Sequence, residues 1–201
     1  MAELEKPVEQ DAAAKRRARQ TLINLLLSLA ATAGLVVAVV LAVPRVNENL
    51  VQPVDYKAIA SQVAASTSKP IIVPNGAALG KGWWCNSARW TAKTTDGVDN
   101  WYVGFVGPDG QYIGLTQAFN SNPTWDGLFL NAADQAGHLN IDGIPFEVLK
   151  SAEAHDPPKS KDYALLTHAG ADSIFVYGTA SRQDLQKFAK LVVDQRLKVY
   201  P

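Results

Sequence analysis

Cysteine, methionine and histidine are scarce in this chain, and charge of one sign never accumulates into a long run. There is one cysteine, Cys85, so an intramolecular disulfide cannot form and a disulfide-stapled scaffold is excluded. The three histidines, His138, His155 and His168, are scattered, with no two at helical ligand spacing. No metal site is expected from them. The formal net charge is zero, and no basic face of the kind nucleic acid requires is evident. No G-x-S-x-G elbow, H-E-x-x-H helix, P-loop or G-x-G-x-x-G after a strand occurs. The chain therefore reads as non-enzymatic, with no cofactor implied.

What is present begins with a long uncharged run. Thr21 to Val43 carries no charged side chain, and Lys15, Arg16, Arg17 and Arg19 stand directly before it. A helix of that length rises to about 34 Å, enough to cross a hydrocarbon core of about 30 Å. A cleaved signal peptide has a shorter apolar region, of about 7–15 residues, ending in a small-residue site. Here the run ends on Ala42-Val43-Pro44, and no cysteine follows it closely enough for a lipoprotein. The basic cluster predicts a cytoplasmic N-terminus and an exterior C-terminal domain, anchored in the cell membrane. The expected divisions are a cytoplasmic tail over 1–20, a span over 21–43, a juxtamembrane linker over 44–54 and a folded domain over 55–201. The tail is too short and polar to fold alone, although its basic residues suit anionic headgroups. Asn24, Ser28 and Thr32 are four residues apart and share one helical face. Small tolerated polar residues are the plainer reading, and a helix–helix contact face the sharper one.

About 150 residues follow the span, enough for one real core. Asp55 caps a predicted helix from Tyr56 to about Ala65, with Ile59 and Val63 on one face. Ile71-Ile72-Val73 reads as a short strand, and Arg89 to Lys93 as another with Trp90 inward. Trp101–Val106 and Gln111–Phe119 form a predicted hairpin across Gly107-Pro108-Asp109-Gly110. Thr124 to about Ala136 reads as a helix with Leu128 and Phe129 as its contacts. Leu139–Ile141 and Ile144–Lys150 flank Asp142-Gly143, a two-residue hairpin signal. Tyr163–His168 and Ser173–Thr179 make a third hairpin. A closing helix over Gln183–Leu197 is capped by Ser181, with Asp184 three residues on, and buries Leu185, Phe188, Ala189 and Val192. Three antiparallel hairpins with helices before, between and after predict an α+β fold, one antiparallel sheet flanked by helices.

Three segments carry a resemblance. Trp101-Tyr-Val-Gly-Phe-Val-Gly-Pro-Asp-Gly-Gln-Tyr-Ile-Gly-Leu-Thr-Gln117, Ile141-Asp-Gly-Ile-Pro-Phe146 and Gly178-Thr-Ala-Ser-Arg-Gln-Asp-Leu185 are similar to an uncharacterised family of actinobacterial membrane-anchored proteins, domain of unknown function 4245. The basic tail, the span and Pro53-Val-Asp-Tyr56 match in order and spacing. The resemblance implies a cell-envelope setting and an antiparallel α+β domain, with no catalytic residue to carry over.

Among single residues, Cys85 follows Trp83 and Trp84 and has no His, Lys or Arg within two positions to activate it. A buried thiol is expected rather than an intermolecular bridge or a reactive group. His155 lies in a proline-rich loop and reads as exposed, and His168 as a surface histidine beside a turn. Asp126 and Asp134 form the one helical pair able to act as general acid and base, although a solvated face is the plainer account. Asp109 and Asp142 are explained by turn preference. Five tryptophans, Trp83, Trp84, Trp90, Trp101 and Trp125, exceed what a modest core needs. Adjacent Trp83 and Trp84 cannot both point inward from an extended chain. The partner-contact candidates are therefore Trp83, Trp84, Trp125, Asn24, Ser28 and Thr32. The function expected is an accessory protein that docks on a larger envelope complex, for example a respiratory or secretion assembly. The second reading is a binding module for a small molecule or an envelope polymer. Expected partners are the lipid bilayer and an envelope protein, with no nucleic acid.

Overall fold

The computed structural model describes residues 7–42, 52–92, 97–153 and 155–200, with the backbone alone for 7–13. It divides into two units, one over residues 1–50 and one over residues 51–201.

The first unit is one helix, α1 (Pro7–Ala42). Ala14–Ala42 is long and apolar enough to cross a membrane. The helix starts well before the uncharged run and takes in part of the expected tail. The apolar segment supplies the nucleus, and adding polar residues to an existing helix is inexpensive. At the expected contact face, the Thr32 hydroxyl donates to the Ser28 carbonyl at 2.9 Å, one turn back in its own helix. Residues 1–6, Val43 and most of the 44–54 linker lie outside the described residues.

The second unit is an α+β domain built on one seven-stranded antiparallel sheet. Its strands are β1 (Trp84–Thr91), β2 (Asp99–Val106), β3 (Tyr112–Phe119), β4 (Asp134–Ile141), β5 (Ile144–Lys150), β6 (Tyr163–Ala169) and β7 (Asp172–Gly178). The order across the sheet is β1-β2-β3-β7-β6-β5-β4. Two meanders, β1–β3 and β4–β7, thus meet where β3 pairs with β7. The turns follow their chemistry. Gly110 adopts φ 78° in the first hairpin, and Asp142 and Gly143 take φ 49° and 86° in the second. Asp142 does more than turn the chain, since its carboxylate also pairs with Lys190 at 2.6 Å.

Alternation along the strands sends Trp101, Val103, Phe105, Ile113, Leu115, Ile174 and Val176 to one face. Helix α2 (Tyr56–Thr67) covers that face with Ala60 and Val63, and α4 (Arg182–Val199) with Leu185, Phe188, Ala189, Val192 and Val193. Asp55 and Ser181 cap these helices as expected. Asp184 departs from a capping box, because its carboxylate accepts from the Ser181 hydroxyl at 2.6 Å. Trp90 packs toward the same core, its ring 5.5 Å from Phe119.

The opposite face gathers Tyr102, Ala118, Leu149, Leu166, Phe175 and Tyr177 under a short helix, α3 (Pro123–Phe129). A longer helix here was expected. Asn131 and Ala132 turn left-handed, both at φ 54°, and the chain from Asp134 joins β5 as a strand. Tertiary pairing overrides the helical pattern. Leu128, expected to be buried, is 74 % exposed, while Phe129 packs between Phe175 and Tyr177. Lys161 lies 3.8 Å over the Phe129 ring and donates to the Phe129 carbonyl. Burial holds its ammonium below the usual lysine range.

Ile71–Val73 is the other correction. It forms no strand, and the backbone of Ile72 is satisfied by side chains instead. The Ile72 N–H donates to Gln117 Oε1 at 3.0 Å, and the Ile72 carbonyl accepts from Trp101 Nε1 at 3.1 Å. Gln117, fully buried, also donates to the Pro70 carbonyl at 2.7 Å and to the Tyr200 hydroxyl at 2.6 Å. Replacing Gln117 by Ala leaves the buried Ile72 N–H without its acceptor and takes a donor from the Pro70 carbonyl and the Tyr200 hydroxyl. We expect a loss of about 2–4 kcal/mol, read from denaturant unfolding of the full chain in detergent by tryptophan fluorescence.

Hydroxyls on the second face set the alkaline limit. The Tyr102 and Tyr112 hydroxyls lie 2.6 Å apart and Tyr177 meets Thr116 at 3.1 Å. Burial first, then neighbouring Tyr177, raises Tyr112 far above the ordinary tyrosine range, and burial pushes Tyr177 up to about 12. Because these folded values exceed the unfolded one of about 10, the unfolded chain sheds protons first as pH rises. Stability is expected to hold below about pH 9 and to fall steadily above about pH 10. Unfolding midpoints across that range test this, and a flat profile to about pH 12 would contradict it.

Candidate functional site

Proline has no N–H to give to a strand ladder, and Pro145 stands second in β5. β4 pairs along β5 as far as Ile141 with Ile144, and β7 pairs along β6 as far as Ala169 with Asp172. Between β5 and β6, however, the ladder runs only from Lys150–Tyr163 to Glu147–Leu166. Ile144–Phe146 and Thr167–Ala169 therefore diverge without pairing. The sheet is split between its two final hairpins.

Continuing the register would set Pro145 opposite His168. The His168 carbonyl instead accepts from Arg196 Nη2 of α4 at 3.0 Å. A guanidinium thus fills the place of the missing strand donor, and its own Nε is buried without a partner. The opening has a volume of about 400 Å³, and its lining includes His138, Pro145, Glu147, Leu166, His168 and Arg196. Its walls combine apolar side chains with one acidic and one basic group.

A buried polar cluster fixes the rim. Ser173 Oγ donates to Asp126 Oδ2 at 2.8 Å and lies 2.6 Å from Ser121 Oγ and 3.1 Å from His168 Nδ1. One hydroxyl has one proton, and the carboxylate takes it. Ser173 must then accept from both Ser121 and His168. His168 accordingly carries a hydrogen on Nδ1 and donates it to Ser173 Oγ. The order is Asp–Ser–His, with serine in the middle and 1 % exposed. A serine nucleophile requires histidine between the other two and an accessible oxygen. This cluster holds α3, β6 and β7 together and orients His168.

The residues singled out from sequence do not converge on one site. Trp83 packs against the first core, whereas neighbouring Trp84 is half-buried and belongs to neither core. The two therefore differ, as extended geometry requires. Trp125 stacks on Phe129 with ring centroids 5.2 Å apart and helps cover the second core. Asn24, Ser28 and Thr32 lie on α1, in the other unit. Asp126 is buried in α3 while Asp134 stands exposed on β4, so they do not form a helical pair. Cys85 is buried, and burial pushes its thiol up to about 11. His155, expected to be exposed, is half-buried between Asp162 at 2.9 Å and Glu153 at 3.5 Å. No group of three His, Cys, Asp or Glu residues is arranged to hold a metal ion among the described residues.

Arg196 and the split itself were not read from the sequence. Pro145 inside a strand run is the signal from which the split could have been read. Replacing Ser173 by Ala leaves the buried Asp126 carboxylate without its donor. We expect a loss of about 2–4 kcal/mol in denaturant unfolding, with the proton of His168 released from its fixed nitrogen in imidazole NMR.

The model of a family described as proteins of unknown function, DUF4245, matches residues 17–192, and the chain belongs to that family. No curated protein and no solved structure matches it.

Proposed function

We propose that this member of the DUF4245 family is a non-enzymatic, membrane-anchored docking protein of an actinobacterial cell envelope. The span is the uncharged run that starts at Thr21, within the apolar helical stretch Ala14–Ala42. Lys15 to Arg19 keep the N-terminus in the cytoplasm, and the sheet domain is exterior. The domain receives an extended segment of a larger envelope assembly in the split between β5 and β6.

The observation that carries this reading is the pair of unmatched strand ends, Ile144–Phe146 and Thr167–Ala169, facing one opening. An added strand gains affinity from main-chain hydrogen bonds, and flanking side chains select its sequence. Arg196 Nη2 supplies one such bond in the unliganded domain and would pair with an acidic side chain of the incoming segment. Half-buried Trp84, outside both cores, provides a second contact on another part of the surface. A small-molecule or envelope-polymer ligand is the second reading. It is favoured by the same guanidinium, whose buried Nε has no partner in the fold.

The test is a mild-detergent pull-down of the full-length tagged protein from its own membranes, quantified by mass spectrometry. The wild type is expected to bring down one stoichiometric envelope protein. Arg196→Ala should recover it at least about tenfold less well, with its unfolding midpoint measured alongside. Equal recovery by both proteins removes the slot as the docking site. Absence of any partner, with a thermal shift from carboxylate-bearing envelope fragments, transfers the function to ligand binding.

A further inference from the structure

We infer that a second cleft, at the opposite end of β5 and β6, binds a phosphate-class oxyanion. It has a volume of about 210 Å³ and is bounded by the ends of these strands, the β7–α4 connection and the first turn of α4. Three cations line it: Lys150 at the end of β5, Lys159 in the β5–β6 loop, and Arg182 at the start of α4.

None of the three has a carboxylate within ion-pair distance among the described residues. The one acid in the lining, Asp162, is already engaged. One of its oxygens lies 2.9 Å from His155 Nδ1, and the other accepts the Lys159 backbone N–H at 2.7 Å. A carboxylate only accepts, so both neighbours donate to it. Three cations against this one engaged carboxylate leave the lining with an excess of positive charge, which repels itself.

Arg182 adds an independent sign. It is the first residue of an eighteen-residue helix, where the helix dipole favours acidic side chains and disfavours cations. Its guanidinium stands over the Tyr163 ring, 5.4 Å from the centroid, at the cleft wall. That ring contact leaves the guanidinium's N–H donors free for a ligand, and departures from local stability rules are expected at functional sites. A multiply charged oxyanion compensates all three cations together, with the guanidinium offering paired donors and the ammonium groups point charges. Phosphate carried by a soluble molecule and phosphate of a lipid headgroup share this chemistry.

The experiment is calorimetric titration of inorganic pyrophosphate into the full-length protein in neutral detergent, repeated in micelles doped with phosphatidylglycerol. The wild type and Lys57→Glu, an exposed change on α2, are expected to bind alike. The double variant Lys150→Glu/Arg182→Glu should bind at least about tenfold more weakly. Its ligand-free unfolding midpoint should not fall, because Glu at the first position of α4 suits the helix dipole. Loss of the pyrophosphate signal in doped micelles assigns the site to a lipid headgroup, and an unchanged signal assigns it to soluble phosphate. Either result keeps the site. Absence of binding by the wild type, or equal affinity in the double variant, overturns it.

Discussion

The side-chain amide of Gln117 is the bond on which the packing of the sheet domain depends. From the centre of β3 it accepts the Ile72 N–H and donates to the Pro70 carbonyl and the Tyr200 hydroxyl. Tyr200 passes the link to Asp172, whose other oxygen accepts the Asn120 N–H. One buried side chain therefore joins the strap after α2, the middle of the sheet, the end of α4 and the β6–β7 turn. Tyr56 fastens the far end of the strap, donating to the Pro74 carbonyl and accepting the Gly76 N–H. A buried backbone segment with no strand beside it must find such partners, because an unpaired amide or carbonyl there costs as much as a lost bond.

The two faces of the sheet solve the burial problem differently. On one, two amphipathic helices bring aliphatic and aromatic side chains in bulk. On the other, tyrosines lie flat. The Tyr102 and Tyr112 hydroxyls rest over Gly104 and Gly114, where any Cβ would collide with them. These paired glycines admit the rings close to the backbone. Hydroxyls satisfy one another there, and a single short helix completes the cover. The split at Pro145 lies beyond this aromatic layer, where the two last hairpins part.

Much of this architecture was legible locally. Asp142-Gly143, Gly107-Pro108-Asp109-Gly110 and the caps Asp55 and Ser181 act within a few residues, so their spacing suffices to place hairpins and helices. The misread segments were those decided at long range. Asp134–Ala136 closes a run of helical composition but opens β4 because β5 offers a ladder. Ile71–Val73 has strand composition but lies against side chains from β2 and β3. The site was the least legible part. Arg196 reads as one more cation on an amphipathic helix, and only the register of β6 against β5 reveals what its guanidinium replaces. Tryptophan content suggested a surface, yet Trp101 and Trp125 are committed to cores.

Since β3 takes β7 as its neighbour rather than β4, the order of synthesis and the order of the sheet disagree. The first meander is complete once Phe119 has been made, but its inner edge stays bare until residues 172–178 arrive. Over that interval the growing chain presents an eight-residue apolar strand, Tyr112–Phe119, with open backbone groups along one side. Such an edge is a template for pairing with another copy. Gln117 also lacks Tyr200 until the last residues emerge, so the strap is not fully held before then. The domain is thus sealed from its C-terminal end, and a product cut short before β7 exposes its central strand rather than a dispensable margin.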